Sequence, residues 1–295
     1  MLLAGVKNWL ARPLLPEDMT EETDPGEVPG IDPRDIAWPA ERIELAGQLW
    51  GEGYILPGGE EETLRLARSL GLSADSTLLL LGCGPGGASR SVAGRLGVWA
   101  SGFEADPDLA SAGASLCALS GLGHRADVCF WNPNRPDFQH RHYHHALALE
   151  PMRIASPETV LAGISLALRP GGQLGLLEMV ATQKPDPAAP EFTRWMELEG
   201  RTAMPPPETA ITRALGRLGF ETRATEDVSQ RHLREIARGW REIVRTLNIC
   251  RPGPAAAARL VREGELWLLR ARLLRSGRLR LIRWHAVGRR GAAAA

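Results

Sequence analysis

An excess of charge of either sign is missing from this sequence: Lys+Arg and Asp+Glu stand at 35 each. A nucleic-acid grip built on net basic charge is therefore not expected. Cysteine is scarce, and the four present (Cys83, Cys117, Cys129, Cys250) form no C-x-x-C pair. That pattern speaks against a disulfide or zinc framework and suits a reducing compartment, so a cytoplasmic location is expected. Long apolar runs are lacking too. The opening "MLLAGVKNWLARPLLPED" is broken by Lys7, Arg12 and Pro13 and is too short to span a bilayer. It has no long apolar stretch ahead of a small-residue cleavage site, as a secretory signal would. Peripheral membrane contact through an amphipathic anchor, or a partner-docking arm, is the alternative to an ordinary surface segment there. No internal repeat is visible.

What is present is a large apolar fraction, 44% of 295 residues. That is enough for one large domain, or for one domain with a sizeable insertion. Residues 1–40 read as an irregular leader, rich in proline and acid. Two short helices follow, "AERIELAGQLW" and the stretch from Glu60 to Leu70. Strands then alternate with helical patterns: "TLLLLG", "VWASGFEAD", "ADVCFW", "HHALALE" and "GQLGLLEMV" are the strands. Near-continuous apolar strands separated by helices predict a parallel sheet covered on both faces. After Lys184 the texture changes. A helix at "PETAITRALGRLGF" leads into the strand "FETRATEDV", and "RLRLIRWHAVG" closes as a strand. Between those strands lie two long helices, one over "RHLREIARGWREIVRTLNI" and one from Pro254 to about Arg275. The first puts Leu233, Ile236, Trp240 and Ile243 on one face and Arg234, Arg238, Arg241 and Arg245 on the other. The expected organisation is the leader, a core over 41–185 built around a glycine-rich loop, C-terminal strands with a helical lid over 186–288, and a tail at 289–295.

The chemistry gathers at "LLLLGCGPGG", where Gly82, Gly84 and Gly87 match G-x-G-x-x-G. Glycines let the backbone run against a ligand, and the next helix offers free N–H groups. Glu104 ends the second strand, where a carboxylate accepts both hydroxyls of a ribose. These two features alone suit a dinucleotide as well as an adenosine-bearing methyl donor. The further stretches "GFEADPDLA", "LALEPM" and "LRPGGQLGLLEMV" complete a pattern. Together the set resembles the class I S-adenosylmethionine-dependent methyltransferases over about residues 42 to 288. The resemblance implies an α/β fold: a seven-stranded Rossmann-like sheet, last strand antiparallel, with a helical insertion between the last two strands. It also implies S-adenosylmethionine as methyl donor and a small-molecule acceptor methylated on nitrogen or oxygen. "LWGEGYILPGG" is similar to the segment ahead of the donor loop in phosphoethanolamine-type N-methyltransferases. On that likeness Tyr54, Ile55, Gly58 and Gly59 line the donor pocket, together with Gly82, Cys83, Gly84, Gly86, Glu104, Ala105, Trp131 and Glu150.

Several positions depart from the family. Leu56 replaces a serine, and Leu80 stands where an acid usually helps hold the methionine end of the donor. His144 occupies the place of an aspartate that often opens the fourth strand. Ile154 and Trp38 fall about where phosphobase enzymes carry a histidine and a tyrosine, so that substrate is not supported. Glu150, at the end of the fourth strand, is the candidate catalytic residue, because ligands of open parallel sheets bind at those strand ends. Glu178, near the end of the fifth, shares that logic. Trp131 is a candidate to stack on adenine, and Trp240 and Trp267 are expected in the core. His140, His142, His144 and His145 read as a polar loop entering a strand rather than a metal site. The alternative to an enzyme is a methyltransferase-fold assembly or regulatory subunit with weak or no catalysis.

Overall fold

The computed structural model describes residues 38–182, 189–249 and 252–289. The leader reading falls almost wholly on residues 1–37, and most of the tail on 290–295; both stretches lie outside the described residues. Seven strands form one sheet: β1 (Thr77–Leu81), β2 (Trp99–Glu104), β3 (Ala126–Phe130), β4 (Tyr143–Leu149), β5 (Leu168–Ala181), β6 (Phe220–Asp227) and β7 (Leu279–Gly288). Their order is β3-β2-β1-β4-β5-β7-β6. The first five run parallel, and β7 is antiparallel to both β5 and β6. The sheet is the one the resemblance implies.

The nine helices among the described residues are α1 (Ala40–Trp50), α2 (Gly59–Arg68), α3 (Gly87–Leu96), α4 (Pro107–Leu119), α5 (Pro157–Ala167), α6 (Pro190–Glu199), α7 (Glu208–Arg217), α8 (Ser229–Ile249) and α9 (Pro254–Arg275). Local chemistry sets their ends. Asp106 caps α4 by accepting from the amides of Asp108 and Leu109, with Pro107 at the first helical position. Ser156 caps α5 through the Thr159 amide, again ahead of a proline. Gly97, in the left-handed region, ends α3.

Leu78, Leu79, Leu80 and Leu81 are fully buried, which is why β1 reads as a continuous apolar run rather than an alternation. Leu78 and Leu80 join one apolar cluster and Leu79 and Leu81 the other, on the two faces of the sheet. The Pro-Gly-Gly stretch is a bulge within β5: the register shifts between Tyr143, which pairs with Leu168, and His145, which pairs with Gln173.

The chain adds β2 and β3 on one side of β1, then returns to place β4 and β5 on the other. The order reverses between β1 and β4, and the crevice outside the carboxyl ends of those strands is where such sheets bind ligands. Helices α8 and α9 lie between β6 and β7 in sequence. On α8, Leu233, Ile236, Trp240 and Ile243 are buried, while Arg234, Arg238, Arg241 and Arg245 face solvent. Gly239 lets α8 approach α1 closely, since a Cβ there would lie 2.5 Å from Trp50 Cζ3 and 2.7 Å from the Leu49 carbonyl oxygen. Trp267 of α9 packs edge-on against Trp50, with ring centroids 4.8 Å apart.

Candidate active site

The crevice holds two neighbouring cavities that share Gly82 and Leu149. The first, about 80 Å³, is lined by Gly82, Glu104, Ala105, Trp131 and Glu150 among others, with Trp38 and Ile154 at its wall. The second, about 30 Å³, is lined by Tyr54, Ile55, Leu56, Gly59, Gly82 and Cys83 among others. So nine of the twelve pocket residues expected from sequence meet around one loop. Gly84 sits between, with its amide 2.8 Å from Glu104 Oε2 and an Ile55 carbon 3.1 Å from where its Cβ would be. Gly58 and Gly86 point elsewhere. Gly86 packs toward Cys117 and Val128 of the α4–β3 layer, and Gly58 faces Glu62 at the start of α2. Gly82 cannot be replaced without moving β4: its φ is 68°, and a Cβ would fall 2.1 Å from the Leu149 carbonyl oxygen.

Glu104 is buried at the end of β2. Its Oε2 accepts from Gly84 and its Oε1 from Ala105, at 2.8 Å each. Burial raises its pKa, against Arg153 and these amides, which lower it. Oε1 also accepts from the Asp106 amide at 3.4 Å, so Oε2, with one amide partner, is the oxygen with a lone pair left for a hydroxyl donor. Trp131 is buried with its indole N–H lacking an acceptor among the described residues. Burial pushes the Cys83 thiol well up and the Tyr54 phenol to about 12; the Tyr54 hydroxyl pairs with Ser91. Leu80 contributes no polar group. It is sealed in the apolar cluster with Leu78, Leu147, Leu149 and Met179.

The crevice beside the carboxyl ends of β4 and β5 holds a buried charge network. Glu150 follows β4 in a left-handed conformation rare for a non-glycine residue, φ 48° and ψ 51°, which directs its carboxylate inward. One of its oxygens takes Arg270 Nη2, and the other lies 3.4 Å from Arg201 Nη2. Arg270 also donates to Glu199 through Nη1 and, at 3.1 Å, to His232 Nε2 through Nε. Arg201 Nε is 2.6 Å from Glu199 Oε2, and its Nη2 is 3.3 Å from Glu178 Oε1. Glu178 accepts from the amides of Met152 and Met179. The side chains of both arginines, Glu150 and Glu178 have no solvent exposure.

Sequence reasoning reached Glu150 and Glu178 and missed their partners. It assigns no helix to 190–199, although Pro190 at the first helical position and Phe192, Trp195 and Glu199 at helical spacing carry that signal. Helix α6 ends at Gly200 in the left-handed region, and Arg201 follows with its side chain in the network. The other partner, Arg270, is buried on α9 among Trp267, Ala271 and Leu274.

Burial opposes ionisation throughout, but Arg270, Arg153 and Arg201 hold Glu150 down to about 2. For Glu178 burial wins over Arg201, and its pKa rises to about 7. The two carboxyls then bend stability in opposite directions. As pH rises from 4.5 toward 7, the unfolded chain gives up the Glu178 proton while the folded chain keeps it, so this group lowers stability until about pH 7. Glu150 contributes stability above 4.5 that is lost as pH falls toward about 2. Unfolding free energies from urea denaturation between pH 4 and 8 are expected to decline across the Glu178 window in wild type, by up to about 1.4 kcal/mol per pH unit. Glu178→Gln should lack that decline; parallel curves for the two proteins would refute the assignment.

His144 lies near the start of β4, at the far end of that strand from Glu150. Its Nδ1 accepts from the Thr77 amide at 3.0 Å and lies 3.0 Å from Thr77 Oγ1, and its Nε2 is 2.6 Å from Arg169 Nη1.

No protein-family model matches the sequence, and a search of curated proteins finds no match. Solved structures match in fold. Phosphoethanolamine N-methyltransferase 2 of Haemonchus contortus, bound to phosphomonomethylethanolamine and S-adenosylhomocysteine, superposes with a TM-score of 0.73 at 15% identity, over 85% of this chain and 58% of that one. Geranyl diphosphate C-methyltransferase of Streptomyces coelicolor A3(2), in complex with Mg2+, geranyl diphosphate and S-adenosyl-L-homocysteine, gives 0.59 at 14% identity, over 77% and 76%. The [4+2]-cyclase SpnF gives 0.64 at 20% identity, over 85% and 93%. This chain therefore spans less than two thirds of the first of these proteins. It has the fold of the S-adenosylmethionine-dependent methyltransferases. That fold carries nitrogen methylation, carbon methylation and a cyclisation in these three neighbours, so it does not choose the reaction by itself.

Proposed function

We propose that this chain is an S-adenosylmethionine-dependent methyltransferase acting on a small molecule. The observation that carries the reading is Glu104, buried at the end of β2 beside the glycine loop and lining the crevice at the strand-order reversal. The residues present fit an adenosine: a carboxylate whose Oε2 has a lone pair left for a ribose hydroxyl, an indole N–H at Trp131 with no acceptor among the described residues, and glycine backbone free to approach. The donor supplies an activated methyl sulfonium. The protein's part is to hold an acceptor nitrogen or oxygen in line and dry. Pockets for ligands of this size reach about 300 Å³ or more, so the crevice between Glu104 and Tyr54 must widen on binding. The expected place for that movement is the end of α6, whose Glu199 and Gly200 line the crevice beside Glu150.

Calorimetric titration with S-adenosylmethionine and S-adenosylhomocysteine tests the reading. Wild type should bind both, and Glu104→Ala should bind about ten- to a hundredfold more weakly, the loss of a charge-assisted hydrogen-bond pair. Absence of binding at millimolar donor would leave the second reading, a methyltransferase-fold assembly or regulatory subunit. Two observations favour that second reading: Leu80 is sealed in apolar core, and the acceptor end is filled by paired charges.

A further inference from the structure

We propose that Arg201 and Arg270 are the carboxylate-binding pair of the acceptor site, with the Glu199 side chain standing in for the acceptor's carboxylate. The proposal rests on the methyl-transfer reading of the crevice and names its acceptor class: a small molecule bearing a carboxylate. Two guanidiniums converge on one carboxyl group here. Glu199 gives one oxygen to Arg270 Nη1 and the other to Arg201 Nε. Each guanidinium gives this carboxylate one charge-assisted hydrogen bond, the strong kind that arginine makes to carboxylates. The contact lies beside the cavity that Glu150, Glu199 and Gly200 line, at the carboxyl ends of β4 and β5.

The three carboxylates are not equivalent. Glu178 is on β5 and is pinned by two backbone amides. Glu150 follows β4 directly, its own amide bonded to the Leu177 carbonyl. Glu199 is on the last turn of α6, outside the sheet, and forms part of the cavity wall. It is the one an incoming ligand can displace without breaking a strand. Exchanging it for another carboxylate leaves the network's charge count unchanged, so the exchange adds no desolvated charge. Arg201 Nη1 is buried with no acceptor among the described residues, a donor left over for a ligand oxygen. A buried ion network of this kind gains little stability over apolar packing of the same volume, so stability alone does not account for it.

The test uses the full chain and small carboxylates as probes. Glu199→Ala removes the stand-in and leaves both guanidiniums. In chloride its melting temperature should fall by about 5 °C or more. Sodium acetate or formate at 100 mM, with ionic strength matched by chloride, should raise it by about 3 °C, as for a site of millimolar affinity. Acetamide should not, and neither should acetate raise the melting temperature of wild type by as much. If the variant does not fold in chloride, its refolding yield in acetate against chloride is the readout. Equal response to acetate, acetamide and chloride, in melting temperature or in yield, would overturn the proposal. Because none of these measurements contains donor, they separate from the donor titration. Acetate rescue without donor binding would sink the methyl-transfer reading and leave a carboxylate site; donor binding without rescue would do the reverse.

Discussion

Arg270→Ala is expected to cost about 3–5 kcal/mol of folding stability, the largest loss from any single charged side chain in this molecule. Arg270 is fully buried and donates to Glu150, Glu199 and His232. Truncation leaves two carboxylates in the interior with Arg201 as their remaining ion-pair partner among the described residues and Arg153 acting at longer range. The remaining carboxylates would answer by taking up protons, so the loss should be largest at high pH and shrink toward pH 4. A melting-temperature fall of about 10 °C at neutral pH is the corresponding thermal signature. Arg270→Met combined with Glu150→Gln and Glu199→Gln removes the charges together and should recover part of the loss. A single Arg270→Ala variant that melts within about 2 °C of wild type would show that α9 is not tied to the strand ends by this network.

Leu80→Asp is expected to destabilise by about 3 kcal/mol or more and not to tighten donor binding. From the family resemblance alone, restoring an acid here should improve the methionine end of the donor site. The structure reverses the sign. Leu80 has no solvent exposure, pairs with Gly102 and Leu147 across the sheet, and belongs to an apolar cluster that includes Leu78, Leu149, Leu177 and Met179. A carboxylate placed among those side chains has no donor to pair with and pays its desolvation in full or folds protonated. Urea denaturation of the variant and donor titration of its folded fraction are the two measurements. Wild-type-like stability together with a tighter donor constant would mean that polar groups reach Leu80 after all.

The sheet was legible because its strands are buried on both faces and its helices carry their own stop signals. "TLLLLG" is apolar without alternation, and that is what a central parallel strand looks like. Asp106-Pro107 and Ser156-Pro157 mark two helix starts within a residue. The glycine loop and Glu104 were legible for a related reason. A tight turn and a strand-end acid are local features, and Gly82 is confined to glycine by a neighbouring backbone oxygen that any residue type would meet. Helix α6 escaped because its apolar face is short and follows a proline-rich stretch, so its periodicity is carried by only Phe192, Trp195 and Leu198.

The amino-acid sequence by itself determined the order of elements, the doubly wound sheet with an antiparallel β7, and the position of the crevice. The order of elements follows from periodicity, caps and turn glycines, which act over a few residues, while the antiparallel β7 is what the resemblance to the methyltransferases implies. Only the tertiary structure decided what fills the crevice beside the ends of β4 and β5. Arg201 and Arg270 meet Glu150 across 51 and 120 residues of chain, and Glu199 joins them from a third element. A charged residue on a helix reads as solvent-facing, because burying it alone is prohibitive; what makes burial tolerable is a set of partners brought from distant segments, and nothing within a few residues of Arg270 announces them.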